Sequence, residues 1–189
     1  MKILFISRTF YPGGFGGGEI SALHIAKLVS NSENEAIVCC LSSKVNKPTI
    51  ESIGKIKVYR FPWKKLRFFK RLSNLEYVYW QLYKETKKII KNEKPDILHF
   101  LNFQSICPLA LFFKDYTKIA TINSPLFCEF GGAHPNKKTC YNCSKKERFI
   151  LSLKKWGTKG IVYWTYNRYS QSLQKRSIKK CDKIFGVSN

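Results

Sequence analysis

The chain has 189 residues, enough for one sizeable hydrophobic core but too few for two complete α/β domains. Hydrophobic residues make up 44% of it, which excludes an intrinsically disordered protein. Lys and Arg outnumber Asp and Glu by 34 to 12, and the resulting charge of +22 favours anionic partners such as nucleic acid, membrane surfaces or phosphorylated small molecules. No signal-peptide core and no apolar run of about 18 residues is visible, so a cytoplasmic protein is expected.

The first 29 residues predict a strand, a glycine-rich loop and a helix. Residues 3–6 are an apolar run that suits a strand buried on both faces, and the apolar residues of 22–29 recur at helical spacing. Five glycines lie within residues 13–18, directly before Glu19. Such a loop at a helix N-terminus can present N–H groups to an anion, although glycine-rich turns also serve simply to reverse the chain.

Strand and helix patterns then alternate along the chain. Short apolar runs predict strands at 35–41 and 55–61, joined by a polar loop, and an amphipathic helix follows at 68–90 with Gln81 on its polar side. The remaining predicted elements are a strand at 96–100, a short helix at 105–114, a strand at 118–122, helices at 146–156 and 162–173, and a strand at 183–187. This order predicts an α/β protein, a Rossmann-like parallel sheet with helices on both faces.

The segment 123–146 contains a cysteine-bearing loop that interrupts this alternation. Cys128, His134, Cys140 and Cys143 offer sulfur and nitrogen ligands of the kind that tetrahedral Zn²⁺ prefers, including one Cys-x-x-Cys pair. A structural zinc ion is therefore one interpretation, and a cluster of reduced thiols is the other. Disulfides are not expected, because the seven cysteines are odd in number and irregularly spaced.

Two stretches, 62–71 and 154–180, combine basic and aromatic residues. Tryptophan and tyrosine favour the headgroup zone of a bilayer, and lysine and arginine are attracted to anionic lipid. Peripheral binding at the inner face of the cell membrane is one interpretation of these stretches. The alternative is a set of helices that turn their aromatic residues to the sheet and their lysines to water.

Several motifs occur in an order that resembles a known family. They are the opening residues 1–6, Tyr11-Pro12, Gly16-Gly17-Gly18-Glu19, Pro95-Asp96-Ile97-Leu98-His99, the strand at Thr121-Ile122 before the cysteine loop, and residues 181–188. Together they resemble the N-terminal, acceptor-side domain of the GT-B glycosyltransferases of family 4. The resemblance covers nearly the whole chain, so residues 1–189 are predicted to form one such domain.

The resemblance implies where substrates bind. Gly16, Gly17, Gly18 and Glu19 would approach the phosphates or sugar of a nucleotide-sugar donor, whereas the N-terminal domain would hold the acceptor. His99 and Asn102 end a strand at the carboxyl edge of the predicted sheet, where ligands of such folds bind, although His99 is equally interpreted as a hydrogen-bonded structural residue. Asn123 and Ser124 stand where many family members have His-Asp, so the expected cleft histidine is absent.

The leading functional hypothesis is an acceptor-binding domain that takes part in sugar transfer to a glycan or lipid-linked acceptor during polysaccharide biosynthesis. No metal is required at the donor phosphates, since helix dipoles and basic side chains can offset their charge. The C-terminal domain that binds the nucleotide sugar lies outside residues 1–189, so this chain alone is expected to be inactive, and that domain could be separately encoded. The alternative is a non-catalytic basic module for nucleic acid or anionic membrane, but nucleic acid is not expected, because the basic residues are scattered without a recognised motif.

Overall fold

The computed structural model describes residues 1–13, 16–64, 72–123 and 144–186. Within these ranges the helices and strands follow in the order β1 (Lys2–Ser7), α1 (Gly17–Asn31), β2 (Glu35–Ser42), β3 (Thr49–Ile53), β4 (Ile56–Pro62), α2 (Leu72–Glu93), β5 (Ile97–Phe100), β6 (Thr117–Ile122), α3 (Lys145–Trp156), α4 (Gly160–Ile178) and β7 (Lys183–Gly186). Short 3₁₀ turns occupy Phe103–Ser105, Cys107–Leu111 and Gly157–Lys159. None of the described helices is long and apolar enough to cross a membrane.

The strands form one sheet in the order β3-β4-β2-β1-β5-β6-β7. All neighbouring strands are parallel except β3 and β4, which are antiparallel, and the predicted Rossmann-like α/β class is confirmed. β1 lies at the centre, where Phe5 is in register with Val38 of β2 and His99 of β5. The carboxyl ends of β1, β5 and β6 therefore meet at one edge of the sheet.

The core has two layers because successive side chains of a strand point to opposite faces of the sheet. Leu4 and Ile6 of β1 join the layer that includes α2, whereas Phe5 joins the layer under α1. Ala22 and Ala26 of α1 are fully buried, as their helical spacing predicts. Their small side chains let α1 lie close to the sheet.

Three local expectations were wrong. The polar loop between β2 and β4 contains the strand β3, whose mostly exposed side chains leave no apolar run, and which pairs with β4 across a turn where Gly54 has a φ of +60°. The helix predicted at 105–114 is replaced by 3₁₀ turns, since Ile106, with a φ of −140°, interrupts helical geometry. Gln81 is not on a solvated face but only 7% exposed, because the chain at Lys64 lies against it.

Candidate functional site

A polar cleft of about 260 Å³ opens at the carboxyl edge of the sheet. Loops after three parallel strands and the start of α1 meet there, as expected for ligand sites in open α/β sheets. The described residues that line the cleft are Arg8, Thr9, Gly18, Glu19, Asn102, Ser105 and Asn123. Gly18, Glu19, Asn102 and Asn123 are among the candidate residues identified from the sequence, whereas Arg8, Thr9 and Ser105 were missed. The available signal was that Arg8 and Thr9 directly follow β1 and that Ser105 lies in the loop after β5.

The start of α1 forms one wall of the cleft. Gly16 precedes the helix in an extended conformation, and its carbonyl accepts hydrogen bonds from the N–H groups of Glu19 and Ile20, both at 3.1 Å. Thr9 Oγ1 donates to Glu19 Oε1 at 2.7 Å. A Cβ atom on Gly16 would lie 2.6 Å from Glu19 Oε2, so the carboxylate lies close to the helix N-terminus. A bound phosphate would share the positive end of the helix dipole with Glu19.

Two asparagines form the wall facing α1. Asn102 lies in the left-handed region at φ 51°, and its Oδ1 accepts a hydrogen bond of 2.6 Å from Asn123 Nδ2. A Cβ atom on Gly18 would lie 2.4 Å from Asn102 Oδ1, so Gly18 is needed for this close approach, whereas a Cβ atom on Gly17 would meet nothing within 4 Å. Asn123 Oδ1 is buried and has no hydrogen-bond partner among the described residues. It can accept a hydrogen bond from a ligand hydroxyl.

Arg8 is the cationic side chain among the described cleft residues. Its carbonyl accepts a hydrogen bond of 3.0 Å from the Leu41 N–H, which holds its backbone beside β2. The guanidinium lies 5.7 Å from the centre of the Trp63 ring, and Nε is buried without a partner among the described residues. Arg8 can thus offer charge and N–H donors to an anion in the cleft.

His99 occupies a different environment. It is 7% exposed, its Nε2 lies 2.7 Å from Thr121 Oγ1, and its ring centre is 5.2 Å from that of Phe5. Burial lowers the pKa of His99 to about 4, so the imidazole is neutral at pH 7. His99 is not among the described residues that line the cleft, and this geometry agrees with the structural interpretation.

Arg60 of β4 forms hydrogen bonds to the segment that leads from β1 to the glycine loop. This arginine is 4% exposed, and its guanidinium donates to the carbonyls of Phe10, at 3.1 Å, and of Tyr11. Its Nε also donates to Glu51 of β3 at 2.6 Å. The edge strand that the sequence did not reveal therefore helps to support the site. A lone arginine within the apolar run of β4 was the signal for this role.

The four candidate zinc ligands, Cys128, His134, Cys140 and Cys143, lie outside the described residues, as does Ser124. Across residues 1–13, 16–64, 72–123 and 144–186, no group of three or more His, Cys, Asp or Glu side chains could hold a metal ion. Cys40 and Cys107 are buried free thiols, and burial raises the pKa of each to about 12. Both are therefore neutral at pH 7 and poor nucleophiles.

The fold is that of one half of the GT-B glycosyltransferases. The match to sucrose-phosphate synthase from Thermosynechococcus elongatus covers 84% of this chain and 45% of that protein's chain, with a TM-score of 0.58 and 12% sequence identity. The match to a double variant of Os79 from O. sativa in complex with UDP covers 98% of this chain and 46% of that protein's chain, with a TM-score of 0.57 and 8% sequence identity. The match to a UGT transferase from Siraitia grosvenorii in complex with UDP covers 98% of this chain and 44% of that protein's chain, with a TM-score of 0.51 and 16% sequence identity.

One curated relative aligns with the whole chain at 24% identity over 202 residues. It is a Klebsiella pneumoniae protein described as an uncharacterized 42.6 kDa protein in the cps region. The chain spans about half the length of this relative, since the alignment covers 49% of it. No family model matches the sequence.

Proposed function

We propose that this chain is the acceptor-side half of a glycosyltransferase that moves a sugar from a nucleotide-sugar donor to a glycan or lipid-linked acceptor. The observation that carries the proposal is the polar cleft at the carboxyl edge of the sheet, which combines an unpaired amide oxygen on Asn123 with the Arg8 guanidinium and the start of α1. The Asn123 oxygen suits a hydroxyl group of the acceptor, and the Arg8 guanidinium suits a phosphorylated donor beside it.

The cleft residues divide by chemistry. Asn102 and Asn123 orient the acceptor hydroxyl through hydrogen bonds, whereas Arg8 and residues 16–19 face the donor. In the transfer, the acceptor oxygen bonds to the anomeric carbon as the bond from that carbon to the phosphate oxygen breaks. The acceptor proton passes to an oxygen of the departing nucleoside diphosphate. Arg8 and the α1 dipole offset charge on the departing phosphate, so no metal is needed.

Two comparisons support this assignment. Two structural neighbours were solved with UDP, which favours a nucleotide-sugar donor for the intact enzyme. The relative from a cps region favours polysaccharide biosynthesis as the process. In this proposal the nucleotide pocket belongs to a second Rossmann domain, carried by a longer form of the chain or by a partner polypeptide.

The test measures sugar incorporation by the chain produced together with that second domain. Membranes as the acceptor source are given a panel of radiolabelled UDP-sugars, and label in lipid-linked or polymeric saccharide is counted. Asn123→Ala should lower incorporation by roughly tenfold or more, because a hydrogen bond in a desolvated site is lost. Asn34→Ala is the matched control, since Asn34 lies just before β2 at the opposite edge of the sheet.

Equal incorporation by the two variants, or none with any donor, would overturn the proposal. A titration of UDP into this chain alone gives an independent check. Little or no binding is expected, and tight binding would contradict a nucleotide pocket in the second domain.

The surface of α4 supports a second, compatible role as a peripheral membrane contact. Val162 and Tyr169 share one helical face and are 54% and 57% exposed, while Arg168 and Arg176 are exposed beside them. An apolar stripe flanked by cations suits an anionic bilayer surface. Binding to anionic liposomes that fades with salt, and that Val162→Ser weakens, is expected; equal binding to neutral vesicles would refute this role.

A further inference from the structure

A second pocket opens along the carboxyl edge of the sheet, between the ends of β2 and β4 and the middle of α2. Its volume is about 320 Å³, at the lower end of the roughly 300–1,000 Å³ typical of small-molecule sites. Trp80, Gln81 and Lys84 line it from α2, and Lys47 and Lys64 line it from the loops after β2 and β4. We call it the Trp80 pocket.

The aromatic wall of the Trp80 pocket is both exposed and fixed. Trp80 is 54% exposed, although large aromatic side chains are usually well buried. Its ring stacks on Tyr77 with 5.8 Å between ring centres and 16° between planes. Lys84 Nζ lies 5.3 Å from the centre of the Trp80 ring. The indole thus presents a flat apolar surface without having to be ordered by a ligand.

Gln81 contributes a polar group that lacks a partner. The residue is 7% exposed, and its Nε2 donates to the Lys64 carbonyl at 3.3 Å. Its Oε1 is buried with no hydrogen-bond partner among the described residues. A buried acceptor without a partner destabilises the folded chain, so a hydroxyl group that donates to Gln81 Oε1 would bind favourably.

The charge of the pocket is positive. Lys47, Lys64 and Lys84 line the pocket. Among its described lining residues the one carboxylate is that of Glu85, whose Oε2 already lies 2.8 Å from Lys88 Nζ. Within the described residues, none of the three lining lysines forms an ion pair. A ligand with a carboxylate or phosphate group therefore matches the pocket better than a neutral one.

We propose that the Trp80 pocket binds an anionic sugar unit, bearing a carboxylate or a phosphate, of the acceptor saccharide. The apolar face of the pyranose ring lies on Trp80, a ring hydroxyl donates to Gln81 Oε1, and the lysines hold the acidic group. This inference rests on the proposed function only in identifying the bound sugar as part of the acceptor. Binding of the sugar itself needs neither donor nor transfer.

The pocket is connected to the cleft by consecutive contacts. Gln81 contacts the Lys64 carbonyl, the preceding Trp63 donates its N–H to the Ser42 carbonyl at 2.9 Å, and the Trp63 ring lies under the Arg8 guanidinium that lines the cleft. The Trp80 pocket and the cleft therefore lie along the same edge of the sheet, with Trp63 and Arg8 between them.

The test uses ¹⁵N-labelled chain and follows the Trp80 indole N–H signal, assigned by its loss in Trp80→Phe. The probes are cellobiouronate, glucose 6-phosphate, neutral cellobiose and inorganic phosphate. At least one acidic sugar should shift the Trp80 signal with an affinity about tenfold above that of cellobiose and of phosphate, since a hydrogen bond to a charged group is worth at least that factor. The two acidic probes distinguish a uronate from a sugar phosphate.

Matched variants separate the pocket from the general charge of the chain. Lys84→Gln should weaken binding of the acidic sugar roughly fivefold or more, whereas Lys87→Gln, the same change on α2 beside the Tyr83 ring, should leave it unchanged. Gln81→Met should reduce binding with little change in the melting temperature, because it removes an unsatisfied oxygen, keeps the side-chain shape and gives up only the long 3.3 Å bond to the Lys64 carbonyl.

Equal shifts with cellobiose and the acidic sugars, equal effects of the two lysine variants, or phosphate binding as tight as that of glucose 6-phosphate would each overturn the proposal. So would a Trp80 signal that responds to anionic vesicles but to no saccharide. Transfer to acceptors without any binding at Trp80 would refute this inference and leave the proposed function intact. Saccharide binding at Trp80 without any sugar transfer would leave this inference intact and refute the proposed function.

Discussion

Replacing Arg60 with methionine tests how the site is supported. Arg60 is 4% exposed, and its guanidinium donates to the carbonyls of Phe10 and Tyr11 and to the Glu51 carboxylate. Methionine keeps part of the side-chain volume but none of the donors. The Phe10 carbonyl retains the Gly13 N–H at 2.9 Å, and Glu51, whose side chain is 42% exposed, can turn to water. The expected loss in the free energy of unfolding therefore comes mainly from the charge-assisted hydrogen bonds to the two loop carbonyls.

Each such bond contributes about 1.5–3 kcal/mol, and partial compensation leaves an expected loss of about 3 kcal/mol in the free energy of unfolding. For a chain of this size that corresponds to a melting temperature lower by roughly 6–12 °C. Urea unfolding at pH 7, followed by circular dichroism, measures the loss. Hydrogen exchange should show the Gly13 amide exchanging faster, because its acceptor belongs to the released loop.

Glu51→Gln is the matched control. The Glu51 side chain is 42% exposed, and glutamine keeps an oxygen that can accept a hydrogen bond from Arg60 Nε, so the change should cost no more than about 1 kcal/mol. If Arg60→Met also cost less than about 1 kcal/mol, or left exchange at Gly13 unchanged, the bonds to the loop carbonyls would not be what holds the loop in place.

Three further predictions address the cleft, the buried histidine and the cysteine loop. Gly18→Ala should keep the fold but reduce sugar transfer roughly tenfold, since its Cβ would displace the Asn102 amide, 2.4 Å away, from Asn123; unchanged transfer would remove the asparagine pair from the site. His99 has a folded-state pKa of about 4, below its usual 6.5, so the unfolded chain binds the extra proton and stability should fall by on the order of 3 kcal/mol as the pH drops from 6.5 to 4. His99→Gln should lose that part of the pH dependence in urea titrations, and an unchanged profile would contradict the burial argument. Metal analysis of purified protein should find zinc near one equivalent if Cys128, His134, Cys140 and Cys143 bind it, and a content near zero would refute the site.

The position of Glu19 has a consequence for donor binding. Its carboxylate lies close to the N-terminus of α1 and accepts a hydrogen bond from Thr9. A phosphate that approached this end of the helix would meet the dipole and a fixed negative charge together. Arg8, on the adjoining wall, supplies the compensating cation. The glycine loop and Arg8 are therefore expected to act as a pair rather than the loop alone.

The sequence by itself determined the alternating architecture. Apolar runs in β1, β2 and β5 predict strands buried on both faces, and the alanines of α1 predict the face that meets the sheet, because these patterns reflect the periodicity of local structure. Strand ends likewise placed Gly18, Glu19 and Asn102 near the sheet edge, since the ends of parallel strands converge there, whereas Asn123 was indicated by the family resemblance alone.

Only the tertiary structure decided which side chains meet. Arg60 and Phe10 are 50 residues apart, and Gln81 and Lys64 are 17 apart, so no local pattern links them. The strand β3 was missed because its side chains are mostly exposed, and Gln81 was assigned to solvent because helical periodicity does not reveal a loop that covers the polar side of α2. Periodicity reports the face that an element buries against the sheet, whereas the bonds that hold the glycine loop and shape the Trp80 pocket depend on contacts between segments distant in sequence.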